Sequence, residues 1–439
     1  MFRISHYMNG LQRSAPPKRI PINSGSAAPV AAPNSREAVA AAGRHPATTA
    51  PPVVIWNLTR RCNLLCRHCY ATAADTPFRG ELSESELLSV LDDLAQFGIK
   101  TVILSGGEPL LHPALNTLAT RAKQYGMLVA LSSNGTLITQ AMSEQIAAIG
   151  YDYVGISLDG LPPRHDAFRR LEGAFDASLQ ALRWCRDAGL RVGMRFTLTE
   201  ANAADLPALL QLMDDEGIEK FYLSHLNFGG RGNRHRDQHA LPETTRRAMT
   251  LIFERAWEAV QRESARQFVS GNNDADAVWL LHWIRHHFPE REPQLQRRLA
   301  TWGGNASGVG IANIDNLGIV HPDTFWWHHP LGSVRDRPFS TIWQDEGDPL
   351  LAALRRWPRP VTGRCGRCHY LAICGGNTRV RAAQQRGDPW AEDPGCYLAD
   401  NEVGLTRTIR RVGSSTDSIK ESFYANPNSS GDPLLPTAE

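Results

Sequence analysis

From Val53 onward, short β-branched or apolar runs alternate with longer amphipathic stretches, the pattern of strands joined by helices. The predicted strands are Val53–Asn57, Thr101–Ser105, Met127–Ser132, Tyr153–Leu158, Arg191–Leu198 and Lys220–Leu226. Ser83 and Glu86 have the spacing of a capping box at the first helix start, with Leu82 and Leu87 at the staple positions. Gly98 is placed to end that helix in the left-handed conformation, and Gly126, Gly150, Gly189 and Gly217 end the following ones. Such alternation implies parallel strands joined by right-handed crossovers. The expected fold is therefore α/β: a partial (β/α)6 TIM-like barrel with its site at the C-terminal ends of the strands.

The flanks read differently. Residues 1–50 are expected to be a largely flexible extension, because 11–50 are rich in Ala, Pro, Ser and Asn and carry too little apolar surface to offset ordering. Residues 51–240 form the barrel. Residues 241–300, with a helical stretch from Thr244 to about Arg262 and a Trp- and His-rich segment near Trp279 to Phe288, form a helical connector. Residues 301–400 form a smaller domain that opens with β pieces, Gly308–Asp315 and Ile319–Pro322, around an Asn316-Leu317-Gly318 turn. Residues 401–439 read as a flexible tail.

Composition narrows the function. A net charge of +2 over 439 residues gives no electrostatic case for nucleic acid or an anionic membrane surface. No run of apolar residues is long enough to span a bilayer, and Met1 to Gly10 lack a signal-peptide core. The expected location is cytoplasmic, where clustered cysteines are read as metal or cofactor ligands rather than disulfides. Cys185 stands alone in a helical stretch and is read as a buried small hydrophobe.

Cys62, Cys66 and Cys69 lie just after the first strand, and chance spacing of this kind has an expectation of roughly 0.003 in a chain with so few cysteines. A four-iron cluster usually takes four thiolates, so three leave one iron open to a small molecule. Zinc is the competing reading, with His68 inside the loop as a fourth ligand. Gly106-Gly107-Glu108-Pro109 follows the second strand, Ser133-Asn134 the third, and Ser157-Leu158-Asp159 the fourth. His165-Asp166-x2-Arg169 lies beyond, and Arg195 is inside the fifth strand.

Cys62-x3-Cys66-x2-Cys69 with Tyr70 resembles the CxxxCxxC signature of the radical S-adenosylmethionine (SAM) superfamily, and residues 106–109 resemble its GGEP segment. The resemblance implies that a [4Fe–4S] cluster on the three catalytic cysteines chelates SAM through its open iron. It implies SAM contacts from Gly106, Gly107, Glu108, Pro109, Ser133, Asn134, Ser157, Asp159, Arg169 and Arg195. Glu108 would face the methionine ammonium, Ser157 and Asp159 the ribose, and Arg169 or Arg195 the carboxylate.

The spacing Cys365-x2-Cys368-x5-Cys374, followed by Cys396, suits four-iron or zinc ligation equally. Gly303-Gly304-Asn305-Ala306-Ser307-Gly308 and Phe339-x3-Trp343 resemble the SPASM/twitch extension of radical SAM enzymes, which implies a second, auxiliary [4Fe–4S] cluster. The opening MFRISHYM, Trp56-Asn57-Leu58-Thr59 and the run Trp326-Trp327-His328-His329 resemble the haem d1 biosynthesis (NirJ) family. That resemblance implies removal of two propionates from a siroheme-derived (didecarboxysiroheme) tetrapyrrole and a low-potential electron donor such as flavodoxin or ferredoxin. Arg231, Arg234, Arg236, His225, His321, His328 and His329 are candidates to meet the substrate's carboxylates or iron. Two other functions fit the same cysteines: a radical SAM maturase of ribosomal peptides, and a non-enzymatic electron carrier or zinc-binding module.

Overall fold

The computed structural model describes residues 1–12 and 51–405. Among the described residues, its centre is a single ten-stranded sheet. The first six strands are Val53–Asn57 (β1), Thr101–Ser105 (β2), Leu128–Ser133 (β3), Tyr153–Ser157 (β4), Val192–Leu198 (β5) and Lys220–His225 (β6), all parallel and each paired to the next. They match the expected strands to within about one residue at each end, as β-branched alternation bounded by glycine should allow. The capping box forms, with Ser83 N donating to Glu86 at 2.8 Å, and Leu82 and Leu87 are both buried. All five expected helix-ending glycines have φ between 63° and 88°.

The structure departs from the expected division of the chain at both flanks. The 241–300 segment supplies a further strand, Gln267–Gly271 (β7), parallel to β6. The 301–400 segment supplies Ile311–Ile314 (β8), parallel to β1 in the register Val53↔Ile311. Ile319–His321 (β9) and Gly332–Ser333 (β10) extend the sheet antiparallel beyond it. Regions expected to be a connector and a separate domain thus build directly on the barrel sheet. The physical reason is that the outer backbones of β1 and β6 would otherwise be bare edges.

The first residues are also ordered. Ile4–Gln12 is a helix whose Ile4, Met8 and Leu11 are fully or almost fully buried, a helical spacing too short to stand out in the sequence. Phe2 exchanges two backbone hydrogen bonds with Ser270 of β7, and Phe268 N donates to Ser5 Oγ at 2.8 Å, so this segment covers the β7 edge. The rest of the expected extension (13–50) and of the tail (406–439) lies outside the described residues. No described helix is long and apolar enough to cross a membrane.

Alternation along the strands decides what faces the barrel interior. Trp56, Leu104, Ile156 and Leu223 are buried on the outer face, and the intervening positions line a cavity of about 840 Å³. Val53, Ile55 and Ile103 make one side apolar, whereas Tyr153, Arg195, Lys220 and Tyr222 make the other polar. The tyrosines fit because their neighbours are glycines: a Cβ on Gly193 would lie 2.0 Å from the Tyr153 hydroxyl, and one on Gly271 2.1 Å from that of Tyr222. Met8→Ala is expected to cost about 2–5 kcal/mol of stability by emptying a fully buried site, whereas Asn9→Ala leaves it unchanged; thermal unfolding of the two variants checks that residues 1–12 belong to the folded core.

Candidate active site

The first cysteine loop leaves β1 with little regular structure, so its backbone is held from outside. Glu81 accepts from Thr59 Oγ1 at 3.0 Å and from Arg60 N at 2.8 Å. Arg231, from the segment after β6, donates to Cys66 O at 2.7 Å and Ala73 O at 2.8 Å, while its own N donates to Cys69 O at 2.9 Å. Arg231 therefore clamps the loop, although it was a candidate for a substrate carboxylate. Gly107 and Glu108 donate backbone hydrogen bonds to Thr59 O and Arg61 O. A Cβ on Gly107 would lie 2.2 Å from Arg61 O, and one on Gly106 2.5 Å from Thr59 O. These glycines line the cavity, but their tightest contact is with the cysteine loop rather than with space for a ligand.

Cys62, Cys66 and Cys69 line the cavity together, with Cys62 and Cys66 buried against Leu64 and Ala73. Burial pushes the Cys62 thiol up to about 12, helped by Glu108, Cys66 and Cys69 and opposed by the Leu64 amide. Burial also raises Cys66, against the pull of Arg169, whose Nη1 lies 3.6 Å from its sulfur. Thiols crowded in this way ionise when a cationic centre takes their electron pairs, which is the donor chemistry of an iron–sulfur site. His68 stacks on Phe168 (4.5 Å between ring centres), and burial lowers it to about 3. Among the described residues no three His, Cys, Asp or Glu side chains are arranged for a single ion.

The other expected residues divide into two tiers. Ser133, Asn134, Ser157, Arg169 and Arg195 line the cavity. Arg169 keeps a buried Nε with no hydrogen-bond partner, an orphaned donor at the cavity wall. Arg195 bonds Ser132 and lies over the Tyr222 ring at 5.3 Å, in register with Ser157. Glu108, Pro109 and Asp159 sit behind that wall. Glu108 is fully buried and accepts from Ser133 Oγ (2.8 Å), Asn134 N (2.8 Å) and Leu110 N (3.3 Å). Asn134 in turn reaches towards Cys62, with Nδ2 at 3.9 Å from Sγ. Asp159 pairs with Arg169 and accepts from Thr197 N at 2.6 Å. In this arrangement Glu108 and Asp159 brace the residues that face the cavity.

At the second group, Cys365, Cys368 and Cys374 each feel the charge of Cys396, so the four thiols are brought together across the long gap. Arg364 donates to Cys396 Sγ at 3.2 Å. A Cβ on Gly304 would lie 2.2 Å from the Cys374 backbone, so the Gly303-Gly304 turn is a packing partner of this loop. Cys185 is fully buried in the core, and burial pushes it up to about 12. Of the remaining candidates, His321 spends both ring nitrogens on Asp315 and His329 O, and His329 bonds Asp348. Arg234 and Arg236 are exposed. His225, by contrast, lines the cavity and bonds Asp276, a partner that nothing local in the sequence marks.

Residues 56–213 match the model of the radical SAM superfamily. The chain is 49% identical to the "Pre-heme d1 synthase" of Dinoroseobacter shibae over 94% of its own length and 96% of that protein's. The chain belongs to the radical SAM superfamily. It is also 42% identical to the "Fe-coproporphyrin III synthase" of Methanosarcina barkeri, over 80% of this chain and 89% of the relative. The crystal structure of Streptococcus suis SuiB bound to S-adenosylmethionine shares the fold, with a TM-score of 0.62 at 17% identity over 79% of this chain and 77% of that one. Radical SAM membership brings SAM and a [4Fe–4S] cluster as cofactors.

Gly107→Ala is expected to push the two loops apart, and iron retained per chain after anaerobic reconstitution then falls towards that of a Cys62→Ala control. Burial raises the Glu108 carboxyl from 4.5 to about 7, against its three donors. Between those values the folded chain keeps a proton that the unfolded chain has lost, so its contribution to stability falls as pH rises. In urea titrations of metal-free protein at about pH 5 and about pH 7.5, Glu108→Gln is expected to remove a decline of about 2 kcal/mol.

Proposed function

We propose that this chain is a radical SAM enzyme of haem d1 biosynthesis, starting removal of two propionate side chains from a didecarboxysiroheme-type tetrapyrrole. The observation that carries the reading is near-full-length similarity to a "Pre-heme d1 synthase", joined to a cavity of about 840 Å³ that opens onto the cysteine loop. That volume lies in the upper range of small-molecule sites. Its apolar side fits the face of a macrocycle, and Arg195 and Lys220 on the other side fit carboxylates. Burial, with Arg195, Arg3 and Arg191 nearby, lowers Lys220 to about 8, an environment that an anionic ligand would relieve.

In this reading Cys62, Cys66 and Cys69 hold the [4Fe–4S] cluster. When bound, the reduced cluster would supply one electron to SAM, splitting a sulfonium C–S bond into methionine and a 5′-deoxyadenosyl radical for hydrogen abstraction from a propionate. Ser133, Asn134, Ser157 and Arg169 orient SAM, with Arg195 serving either SAM or the substrate. Gly106, Gly107, Glu108, Pro109 and Asp159 fix that wall. Cys365, Cys368, Cys374 and Cys396 hold an auxiliary [4Fe–4S] cluster, and Arg364 steadies its Cys396 thiolate. A low-potential donor such as flavodoxin or ferredoxin delivers the electrons. The tetrapyrrole names of the two relatives described above favour this reading over the peptide-maturase and non-enzymatic ones.

Anaerobic reconstitution should load roughly eight iron and eight sulfide per chain for two four-iron clusters. With SAM, dithionite and didecarboxysiroheme, the expected products are 5′-deoxyadenosine and a tetrapyrrole lighter by two propionate side chains. Cys62→Ala abolishes SAM cleavage, whereas Cys374→Ala keeps part of it and loses tetrapyrrole turnover. Cleavage undiminished in Cys62→Ala contradicts the cluster assignment, and turnover of a peptide but no tetrapyrrole contradicts the substrate.

A further inference from the structure

Two histidines line the cavity, His68 and His225, and they are held differently. His68 is stacked on Phe168 and its buried Nδ1 has no partner. His225 stands at the C-terminal end of β6 with its Nε2 3.0 Å from Asp276 Oδ2. The other oxygen of Asp276 accepts from the Tyr397 hydroxyl at 2.9 Å, and the Tyr397 and His225 rings lie nearly parallel, 16° apart. All three residues are almost wholly buried.

An ionised carboxylate accepts and does not donate, so the proton shared with Asp276 belongs to His225 Nε2. That leaves the Nδ1 lone pair, for which the described residues provide no hydrogen-bond partner. A neutral imidazole oriented and made more basic by a carboxylate on its far nitrogen is the usual form of a metal-ligating histidine. His321 shows the contrast: it has a carboxylate too, but its second nitrogen is spent on His329 O.

We propose that His225 is an axial ligand to the iron of the tetrapyrrole substrate, with Asp276 and Tyr397 as positioning residues. The inference rests on the proposal that the substrate is an iron tetrapyrrole. It gives the site a means of distinguishing iron-loaded from iron-free macrocycles. It also fixes the macrocycle by its centre, so that its periphery presents side chains towards the cysteine loop.

The test uses full-length, reconstituted protein labelled with 15N-histidine, without SAM or reductant, so that the oxidised clusters are diamagnetic. Ferric didecarboxysiroheme and its iron-free counterpart are the probes. Pulsed EPR is expected to show a histidine 15N coupling on the tetrapyrrole iron. His225→Ala loses it, His68→Ala keeps it, and added imidazole restores the wild-type spin state to His225→Ala. Affinity for the iron form falls roughly tenfold or more in His225→Ala, and by a smaller factor in Asp276→Asn, while affinity for the iron-free form is unchanged. Absence of any histidine coupling in wild-type protein that binds both probes, or a coupling that survives in His225→Ala, overturns the assignment of His225 alone. Wild-type protein that binds neither probe overturns the tetrapyrrole reading, and the ligand assignment with it.

Discussion

An irregular loop that buries thiols must find partners for its backbone outside itself, because unpaired peptide groups away from water are costly. Much of the site follows from how this chain meets that demand. The loop carrying Cys62, Cys66 and Cys69 is gripped by Glu81, by the peptide groups of Gly107 and Glu108, and by the Arg231 side chain. Gly106 and Gly107 are needed because no side chain fits between two backbones at that distance. Glu108 then ties the same corner to Ser133 and Asn134. A residue type that suggests a ligand contact can therefore act one step behind it, holding the groups that make the contact.

The barrel sheet sets the rest. Because side chains alternate along a strand, one set of positions packs the helices and the other lines the interior. The interior is divided between an apolar side and one bearing Arg195, Lys220, Tyr153 and Tyr222. Strands from beyond the barrel close onto both of its sides, and segments after residue 240 place Asp276 and Tyr397 behind His225. The regions after residue 240 thus contribute to the same cavity that the cysteine loop enters.

The strands of the barrel were legible because each is a short β-branched or apolar run, and all but the first follow a helix-ending glycine. Gln267–Gly271 was not, since Gln-Phe-Val-Ser-Gly between two helices has neither the length nor the apolar weight to announce a strand. The Ile4–Gln12 helix was missed for a related reason: a few apolar positions beside a Pro- and Ala-rich stretch carry little periodic signal. The cysteine groups stood out by spacing alone. Arg231 and the His225–Asp276–Tyr397 series did not, because their partners are 165, 51 and 121 positions away and no local pattern encodes such contacts. The expected partners of Glu108 and Asp159 differed for another reason: a sequence shows that a carboxylate is present, not which way it faces.

The central claim is that the cluster on Cys62, Cys66 and Cys69 has one iron free to take SAM. EPR of a chain in which Cys365, Cys368 and Cys374 are replaced by alanine isolates that cluster. In the dithionite-reduced protein the account expects a [4Fe–4S] signal whose shape and g-values change when SAM is added. A signal that is indifferent to SAM, or metal analysis that finds zinc in place of iron, would contradict it.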